Sequence, residues 1–514
     1  MKFIAAFLII CGLMFSSCKR SHEKAPEIKA EKTENVNEEV SQIIRNQIDQ
    51  FKEDSLLIID SDTLVTGSWI SGFFTKNNFQ PVWTNRTTLS NTADSLLKFI
   101  NNAELYGLVT SDYYLESILQ KISSFYNKSD SSINITRIYE VNILLTAAYF
   151  KLSVHLKKGL QDQLTFQKTW KATSEDSTVV NLLEMAMKSN LILQSLQSQE
   201  PKHEQYSRLR ITLNIFLERI GEIKAGNISK EIQETKFTIN DRNFNDTLNE
   251  IYYTIDSLKK RINQLNANIE RWRWESIQSE SKHILINIPS NTFKFYSNDS
   301  MLLYSKVITG KPETPTPSNF NSKISHFFIY PYWNVPYTIA TKEILPKLKK
   351  DTTYLTSENF EVLDRRNNLV DPSTINWKRY SEKYFPFRLR QRDGTENTLG
   401  VLKFMFSNPY AIYLHDTNSR TLFSKENRWL SHGCIRLDKA KNFAQLICET
   451  STYNFNTDSL NRYMEIKSRI KVAIYPEIPI HIRYYSIEAD TNNVNFYPDI
   501  YQIDNKMHQA LQNN

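Results

Sequence analysis

Apolar residues recur at every third or fourth position through the N-terminal half of the chain, which is the spacing of one face of an α-helix. Two stripes show it: Ala93, Leu96, Leu97 and Ile100 in the first, and Val141, Leu144, Leu145, Ala148 and Leu152 in the second. Gly107 and Gly159 stand where the two helices would end. The pattern predicts a helical domain over residues 41–280, in which the stripes pack into a bundle.

A longer apolar run, spaced alternately by three and four, lies near the end of this domain. Its members are Leu248, Ile251, Ile255, Leu258, Ile262, Leu265, Ile269 and Trp272. This heptad spacing predicts one helix from about Asp246 to Glu275. A coiled-coil dimer would use such a seam, but we favour packing of the helix within its own chain and expect a monomer.

The period of the pattern changes after Lys282. Ile284, Ile286 and Ile288 alternate with other residues. Such short strands predict a mainly β domain over residues 281–514, built as a sandwich or an open barrel. Charged, partly helical sequence over residues 341–390 interrupts the strands, which predicts an insertion in the β domain. Added strands and a terminal helix are expected after Tyr484, and the fold class is α+β.

Residues 1–18 have the pattern of an export signal, since Lys2 is followed by an apolar run and then by small residues. Cys18 resembles the lipidated cysteine of a bacterial lipoprotein, although Phe15 departs from the usual aliphatic residue. An uncleaved anchor or an ordinary signal peptide is the alternative. Each places the rest of the chain outside the cytoplasm. Residues 19–40 are rich in Lys, Glu and Asn, which predicts a flexible tether.

Composition narrows the choice of partners. The chain has 514 residues, enough for two or more domains. Its formal net charge is +7 with acidic and basic residues interspersed, so nucleic-acid binding is not implied, whereas an anionic wall polymer is compatible. If Cys18 carries lipid, Cys434 and Cys448 are the thiols that remain, and a disulfide framework is not expected. Cys448 lies in an apolar pattern typical of a helix core.

The candidate chemistry lies in two stretches, Tyr413-Leu414-His415-Asp416 and Ser431-His432-Gly433-Cys434-Ile435-Arg436. A cysteine attacks carbonyl carbon as its thiolate, and a neighbouring imidazole can serve as the base. Spacing alone does not choose between His415 and His432. Gly433 permits close backbone approach, and the N–H groups of Gly433 and Cys434 could line an oxyanion site. The alternative interpretation is a buried thiol beside a turn.

These stretches, with Tyr330 to Pro336 and Leu399 to Pro409, resemble the L,D-transpeptidase catalytic domain. Phe73 to Trp83 resembles the scaffold domain of the large periplasmic subgroup, which also has a capping subdomain. The resemblance implies that the insertion at residues 341–390 is this cap and acts as a lid over the active site. The resemblance implies that Cys434 is the nucleophile and His415 the general base. The substrates would be peptidoglycan stem peptides, a thioester would form with release of terminal D-alanine, and 3-3 cross-links would result in cell-wall biogenesis. No metal or organic cofactor is implied.

The remaining site candidates fall into two groups. Catalytic support is expected from His432, from Gly433 and from the backbone carbonyl of Asp416, which would orient the ring of His415. Substrate binding is expected from Tyr413, Ser431, Arg436 and Trp333, although a local ion pair and core packing are the alternatives for the last two.

Two other functions stay open: hydrolysis of the same bond by an L,D-carboxypeptidase, and a catalytically idle structural lipoprotein bound to the wall. Many subgroup members carry a peptidoglycan-binding module before the linking helix, marked by a Phe-Gln and a later Asp-Gly motif. Neither motif occurs between Gly221 and Thr247, so that module is expected to be lost. We expect a periplasmic protein anchored by lipid, in the outer membrane rather than the inner.

Overall fold

The computed structural model describes residues 35–54, 57–60, 62–127, 132–161, 178–224, 238–241, 255–275, 280–298, 300–451, 455–490 and 493–512. The predicted export signal, Cys18 and the predicted tether up to residue 34 lie outside these ranges. The tether is predicted to reach residue 40, but helix α1, Val36–Asp54, begins earlier, and Val36 and Val40 are buried. These valines start an apolar stripe that continues through Ile44 and Ile48. No helix in these ranges combines the length and apolarity needed to cross a bilayer.

The region after α1 is mainly helical. Its described elements are β1 Ile58–Ile59, β2 Asp62–Thr63, α2 Gly67–Lys76, β3 Thr84–Asn85, β4 Thr88–Leu89, α3 Asn91–Asn101, α4 Leu115–Ile122, α5 Ile135–Lys158, α6 Thr178–Ser189, α7 Ile192–Gln197 and α8 Glu204–Lys224. Helix α5 is apolar on most sides and lies at the centre of the bundle, because the other helices pack around it. The Asn134 side chain caps its start, and Gly159, with a φ of +88°, follows its end. Both predicted stripes are buried in this core.

The heptad run forms helix α9, Ile255–Arg273, which follows the short strand β5, Thr238–Asp241. Leu248 and Ile251 of the predicted helix lie outside the described residues. The seam residues from Leu258 to Trp272 are buried against α8 and against residues 485–496. The described part of the seam is thus covered by residues of its own chain.

The end of α9 is fixed on two sides by buried charges. Toward the scaffold, Glu270 accepts hydrogen bonds from the backbone N–H groups of Leu160 and Gln161 and pairs with Arg273 at 3.0 Å. Toward the C-terminal part, Arg271 pairs with Asp504 at 2.6 Å. Because all of these side chains are almost fully buried, the helix holds the scaffold and the following domain in one arrangement.

The β domain begins with β6 Lys282–Asn287, β7 Thr292–Ser297, β8 Ser300–Gly310 and β9 Phe320–Ile329. The chain then leaves it for an insertion, the cap, which consists of β10 Trp333–Asn334, α10 Tyr337–Ile339, a π-helical turn Ala340–Ile344, α11 Leu345–Leu348, α12 Tyr354–Ser357, β11 Phe360–Leu363, β12 Leu369–Val370 and β13 Arg388–Gln391. The cap therefore starts before the predicted residue 341. It contains a four-stranded sheet with a core of its own, and Trp333 pairs with Gln391 where the insertion leaves and returns.

The chain re-enters the β domain through β14 Leu402–Phe406, β15 Leu414–His415, β16 Trp429–Ser431, β17 Ile435–Leu437, α13 Ala440–Thr450, α14 Thr457–Glu465 and β18 Ile470–Arg483. Eight strands pair in the order β8-β17-β15-β14-β9-β18-β6-β7, and β7 pairs again with β8, which closes a barrel. The predicted sandwich or open barrel is thus a closed one. Phe443 of α13 packs into its core against Phe293 and Phe404.

The last described elements are β19 Ile487–Ala489, β20 Asn493–Phe496 and α15 Ile503–Gln512. β20 pairs with β19 and also, in parallel, with β5, which precedes α9, the linking helix. This C-terminal part, predicted as an addition to the catalytic domain, therefore packs on the linking helix as well.

We expect Glu270→Gln to destabilise the protein by about 3–5 kcal/mol, because it leaves the guanidinium of Arg273 buried without its counter-charge. Urea unfolding followed by tryptophan fluorescence measures the loss. The matched control is Glu222→Gln, which breaks an exposed pair with Arg219 at the same spacing in α8 and should cost less than about 0.5 kcal/mol. Equal losses in the two variants would show that the buried pair has no special role.

Candidate active site

Three neighbouring barrel strands bring the candidate residues onto one face. Lys403 of β14 pairs with His415 of β15, which pairs in turn with Arg436 of β17. Side chains two positions apart on a strand share a face, so Tyr413 and Cys434 lie beside this row. The intervening Phe404, Leu414 and Ile435 are fully buried in the barrel core. The site therefore lies on the outer surface of the barrel.

The loop that carries the thiol is held in place by the hydroxyl of Ser431. Gly433 has a φ of +106°, which a residue with a side chain would adopt only with strain. Ser431 donates its hydroxyl proton to the Cys434 carbonyl at 2.5 Å and accepts the Gly433 N–H at 3.2 Å. Ser431 is 2% exposed, and both bonds of its hydroxyl are made within the loop, so in this structure it acts as a support for the loop. The Gly433 N–H, a predicted oxyanion donor, is also occupied until that bond opens.

A second layer supports this loop from behind. Thr316 donates its hydroxyl proton to the Gly433 carbonyl at 2.9 Å and accepts the Gly310 N–H at 2.8 Å. Tyr501 donates to the Gly310 carbonyl at 2.5 Å and accepts the Thr316 N–H at 3.1 Å. The position of the thiol thus depends on a tyrosine from the C-terminal part of the chain.

The ring of His415 is held by the backbone of the next residue. Its Nδ1 lies 2.5 Å from the Asp416 carbonyl, the contact expected from the sequence. The Asp416 carboxylate accepts from Arg420 at 2.9 Å and from the Val401 N–H at 3.1 Å, so this residue is fixed on both sides. A neutral ring that donates from Nδ1 keeps Nε2 as its basic nitrogen.

Burial lowers the pKa of His415 to about 3, and the charges of Arg436 and Lys403 act in the same direction. Hydrogen bonds at the backbone of Asp416 and Leu399 oppose this shift. Burial likewise raises the pKa of the Cys434 thiol, against hydrogen bonds from Tyr413 and the charges of Lys403 and Arg436. The resting pair is therefore an uncharged thiol with an uncharged imidazole.

Tyr413 links the thiol to the cap. Its hydroxyl is hydrogen-bonded to Cys434 and receives the indole N–H of Trp333, and burial raises its pKa well above the usual range. It therefore stays protonated and can donate. Trp333, a predicted substrate contact, is half-buried in the core of the cap. The structure places its indole against the Tyr413 hydroxyl.

The two candidate histidines point in different directions. His415 is 4% exposed and lies on the face of the nucleophile, whereas His432 is exposed and its Nε2 lies 2.6 Å from Glu343 of the cap. His432 therefore joins the catalytic loop to the cap.

Arg436 lies in the same row as His415, as a substrate-binding residue would. Its Nε is buried without a hydrogen-bond partner among the described residues, and no ion pair with a described carboxylate is found for it. The local ion pair considered as an alternative is thus absent from the described part of the chain.

Sequence reasoning missed four contributors: Lys403, Thr316, Glu343 and Tyr501. Lys403 is the charged residue in the otherwise apolar run from Val401 to Phe406, and that signal was available in the sequence. The other three reach the site from distant parts of the chain.

Within the described ranges, no group of three or more His, Cys, Asp or Glu side chains is placed to hold a metal ion. Cys448 lies on α13 in the barrel core, as predicted, and burial raises its pKa to about 12.

Comparisons with known proteins match two parts of the chain to family models. Residues 281–452 match the family model of the L,D-transpeptidase catalytic domain, and residues 68–213 match that of the Scaffold domain. A Haemophilus influenzae protein provisionally named an L,D-transpeptidase is 34% identical over 227 residues, 44% of this chain and 45% of the relative. The match thus spans less than half of that relative's length. A solved L,D-transpeptidase from Mycobacterium smegmatis is 15% identical, with a TM-score of 0.17 over 40% of this chain and 58% of that chain.

The buried imidazole makes a prediction about acid stability. The unfolded chain binds a proton at His415 near pH 6.5, whereas the folded chain binds it only near pH 3. Above pH 6.5 the imidazole is neutral in both states, so its protonation does not affect stability. As the pH falls below 6.5, proton binding favours the unfolded chain and destabilises the fold. His415→Gln should therefore gain stability relative to the wild type by up to about 1.4 kcal/mol per pH unit below 6.5.

Urea unfolding of both proteins at pH 8, 6, 5 and 4.5 measures this difference. The pair at pH 8 is the control, because His415 is neutral there in both states and the difference reports the substitution alone. A difference that stays constant with pH would contradict a buried, uncharged imidazole.

Proposed function

Because residues 281–452 carry an L,D-transpeptidase catalytic domain behind a scaffold domain, we propose that this protein cross-links peptidoglycan stem peptides as a cysteine-dependent L,D-transpeptidase. The observation that carries the proposal is the outer row of the barrel, where a thiol, a carbonyl-oriented imidazole and a protonated tyrosine share one face. Such a set fits acyl transfer through a thioester.

In the first half of the reaction, His415 takes the thiol proton and the Cys434 sulfur attacks the carbonyl carbon of the donor stem peptide. The carbon–nitrogen bond to the terminal D-alanine then breaks, and the His415 imidazolium returns the proton to the departing amine. The negative charge on the carbonyl oxygen develops beside the Tyr413 hydroxyl, which is a hydrogen-bond donor at every ordinary pH.

In the second half, an amine of an acceptor stem peptide attacks the thioester carbon and the carbon–sulfur bond breaks. His415 takes the proton from the attacking amine and passes it to the departing sulfur. Each step therefore uses one base that is uncharged at rest, which the low pKa of His415 supports. If water replaced the amine, the product would be that of an L,D-carboxypeptidase.

The expected location follows from the sequence. The export signal and Cys18 lie outside the described residues, so lipid anchoring in the periplasm stays a prediction. The complete set of nucleophile, base and donor speaks against an idle structural lipoprotein.

We expect incubation with a carbapenem, a cyclic acyl donor, to add one covalent adduct at Cys434, detected by intact-mass and peptide mass spectrometry. Cys434→Ala should abolish the adduct, and His415→Ala should slow its formation by about 10²–10⁴-fold. Cys448→Ala is the matched control: it removes the buried thiol of α13 and should keep the adduct. An unmodified mass with Cys434 accessible to a thiol reagent would refute the acyl-enzyme proposal.

The products decide between transfer and hydrolysis. With a disaccharide tetrapeptide as donor and a second stem peptide as acceptor, we expect a 3-3 linked dimer and free D-alanine by liquid chromatography and mass spectrometry. Tripeptide without dimer at saturating acceptor would assign the carboxypeptidase activity instead. Cys434→Ala supplies the background in both cases.

A further inference from the structure

We infer that Lys403 is a further functional residue of this site, whose ammonium group is the counter-charge of the Cys434 thiolate. The inference rests on the proposed function only in treating Cys434 as the nucleophile. A thiolate in a half-buried site needs a nearby positive charge, and cysteine proteins commonly obtain it from an imidazolium. Here the surroundings of the His415 imidazole oppose a lasting positive charge, whereas those of the Lys403 ammonium permit one.

The position of Lys403 follows from strand pairing. Lys403 pairs with His415, so both side chains project from the same outer face, beside Tyr413 and Cys434. Its Nζ lies 3.8 Å from the ring centroid of Tyr413, whose hydroxyl is bonded to the thiol. The half-buried ammonium is thus held over the aromatic face of the residue that contacts the sulfur.

No described acid neutralises this ammonium. The groups that act on the thiol are Lys403 from β14, Tyr413, and Arg436 from β17. His415 lies in the same row, and His432 and Glu343 lie nearby at the edge of the cap. Glu343, the acid of this set, is already paired with His432. Burial lowers the pKa of Lys403 and of Arg436, and the charge that opposes this shift is in both cases that of Cys434.

His415 is a poor counter-ion for a lasting thiolate. It is almost completely buried, and an imidazolium there would stand beside two cations in its own row. It can carry a proton briefly during the reaction, but a stable thiolate–imidazolium pair would be opposed by Lys403 and Arg436. The same two cations favour a thiolate opposite a neutral ring.

The test compares how the Cys434 thiol ionises in four proteins. The rate of alkylation by iodoacetamide, read at the Cys434 peptide by mass spectrometry from pH 5 to 10, reports the thiolate fraction. We expect Lys403→Met to lower the rate at pH 7 about tenfold and to shift the profile up by about one pH unit. Lys403→Arg should stay within about threefold of the wild type, and His415→Gln should shift the profile less than Lys403→Met does.

Lys471→Met is the matched control. Lys471 lies on the same barrel face, but it is exposed on β18 and separated from Lys403 by Phe328 of β9, so its loss should leave the profile unchanged. Circular dichroism and the unfolding midpoint check folding, and Lys403→Gln replaces Lys403→Met if the latter does not fold.

Overlapping profiles of the wild type and a folded Lys403 variant would overturn the inference. So would an equal shift in Lys471→Met, which would indicate a general charge effect, or a larger shift in His415→Gln, which would make the imidazolium the counter-ion. Because alkylation needs neither donor nor acceptor peptide, its outcome is separate from that of the carbapenem and cross-linking experiments.

Discussion

The register of three short strands is the constraint on which the site depends. β15 and β17 are two and three residues long, yet their pairing with each other and with β14 decides which side chains face outward. A slip of one residue would turn the thiol and the imidazole into the core and Leu414 and Ile435 to the surface. The burial of these two apolar residues therefore fixes the chemistry on the opposite face.

Because such short strands hold few ladder hydrogen bonds, the surrounding structure completes the site. Asp416 fixes one strand end through Arg420, and Ser431 and Thr316 fix the loop before the other. The cap adds Trp333 above the tyrosine and Glu343 beside the loop. Farther away, Glu270 of α9 accepts from the backbone of Leu160 and Gln161 in the scaffold, and Arg271 pairs with Asp504 of α15. Several segments that are far apart in the chain therefore hold the site residues in place.

Much of the fold could be predicted from periodicity, because apolar stripes report burial directly. The helical bundle, the linking helix and the mainly β domain follow from it, and Leu258 to Trp272 are buried as their spacing indicates. Barrel closure could not be predicted, since β7 and β8 form a local hairpin, whereas the pairings of β8 with β17 and of β6 with β18 join strands far apart in the chain. The start of α1 was missed because Val36 and Val40 stand among charged residues. Within the site, the contact of His415 with Asp416 could be predicted because the two residues are adjacent in sequence. The contributions of Glu343 and Tyr501 could not, because these residues are far from Cys434 in the chain.

The contact of Tyr501 with Gly310 and Thr316 has a consequence for the order in which the protein is made. Residue 501 leaves the ribosome after Cys434, so an incompletely synthesised chain lacks the tyrosine that supports its thiol loop. Completion of the site is thereby coupled to synthesis of the C-terminal segment.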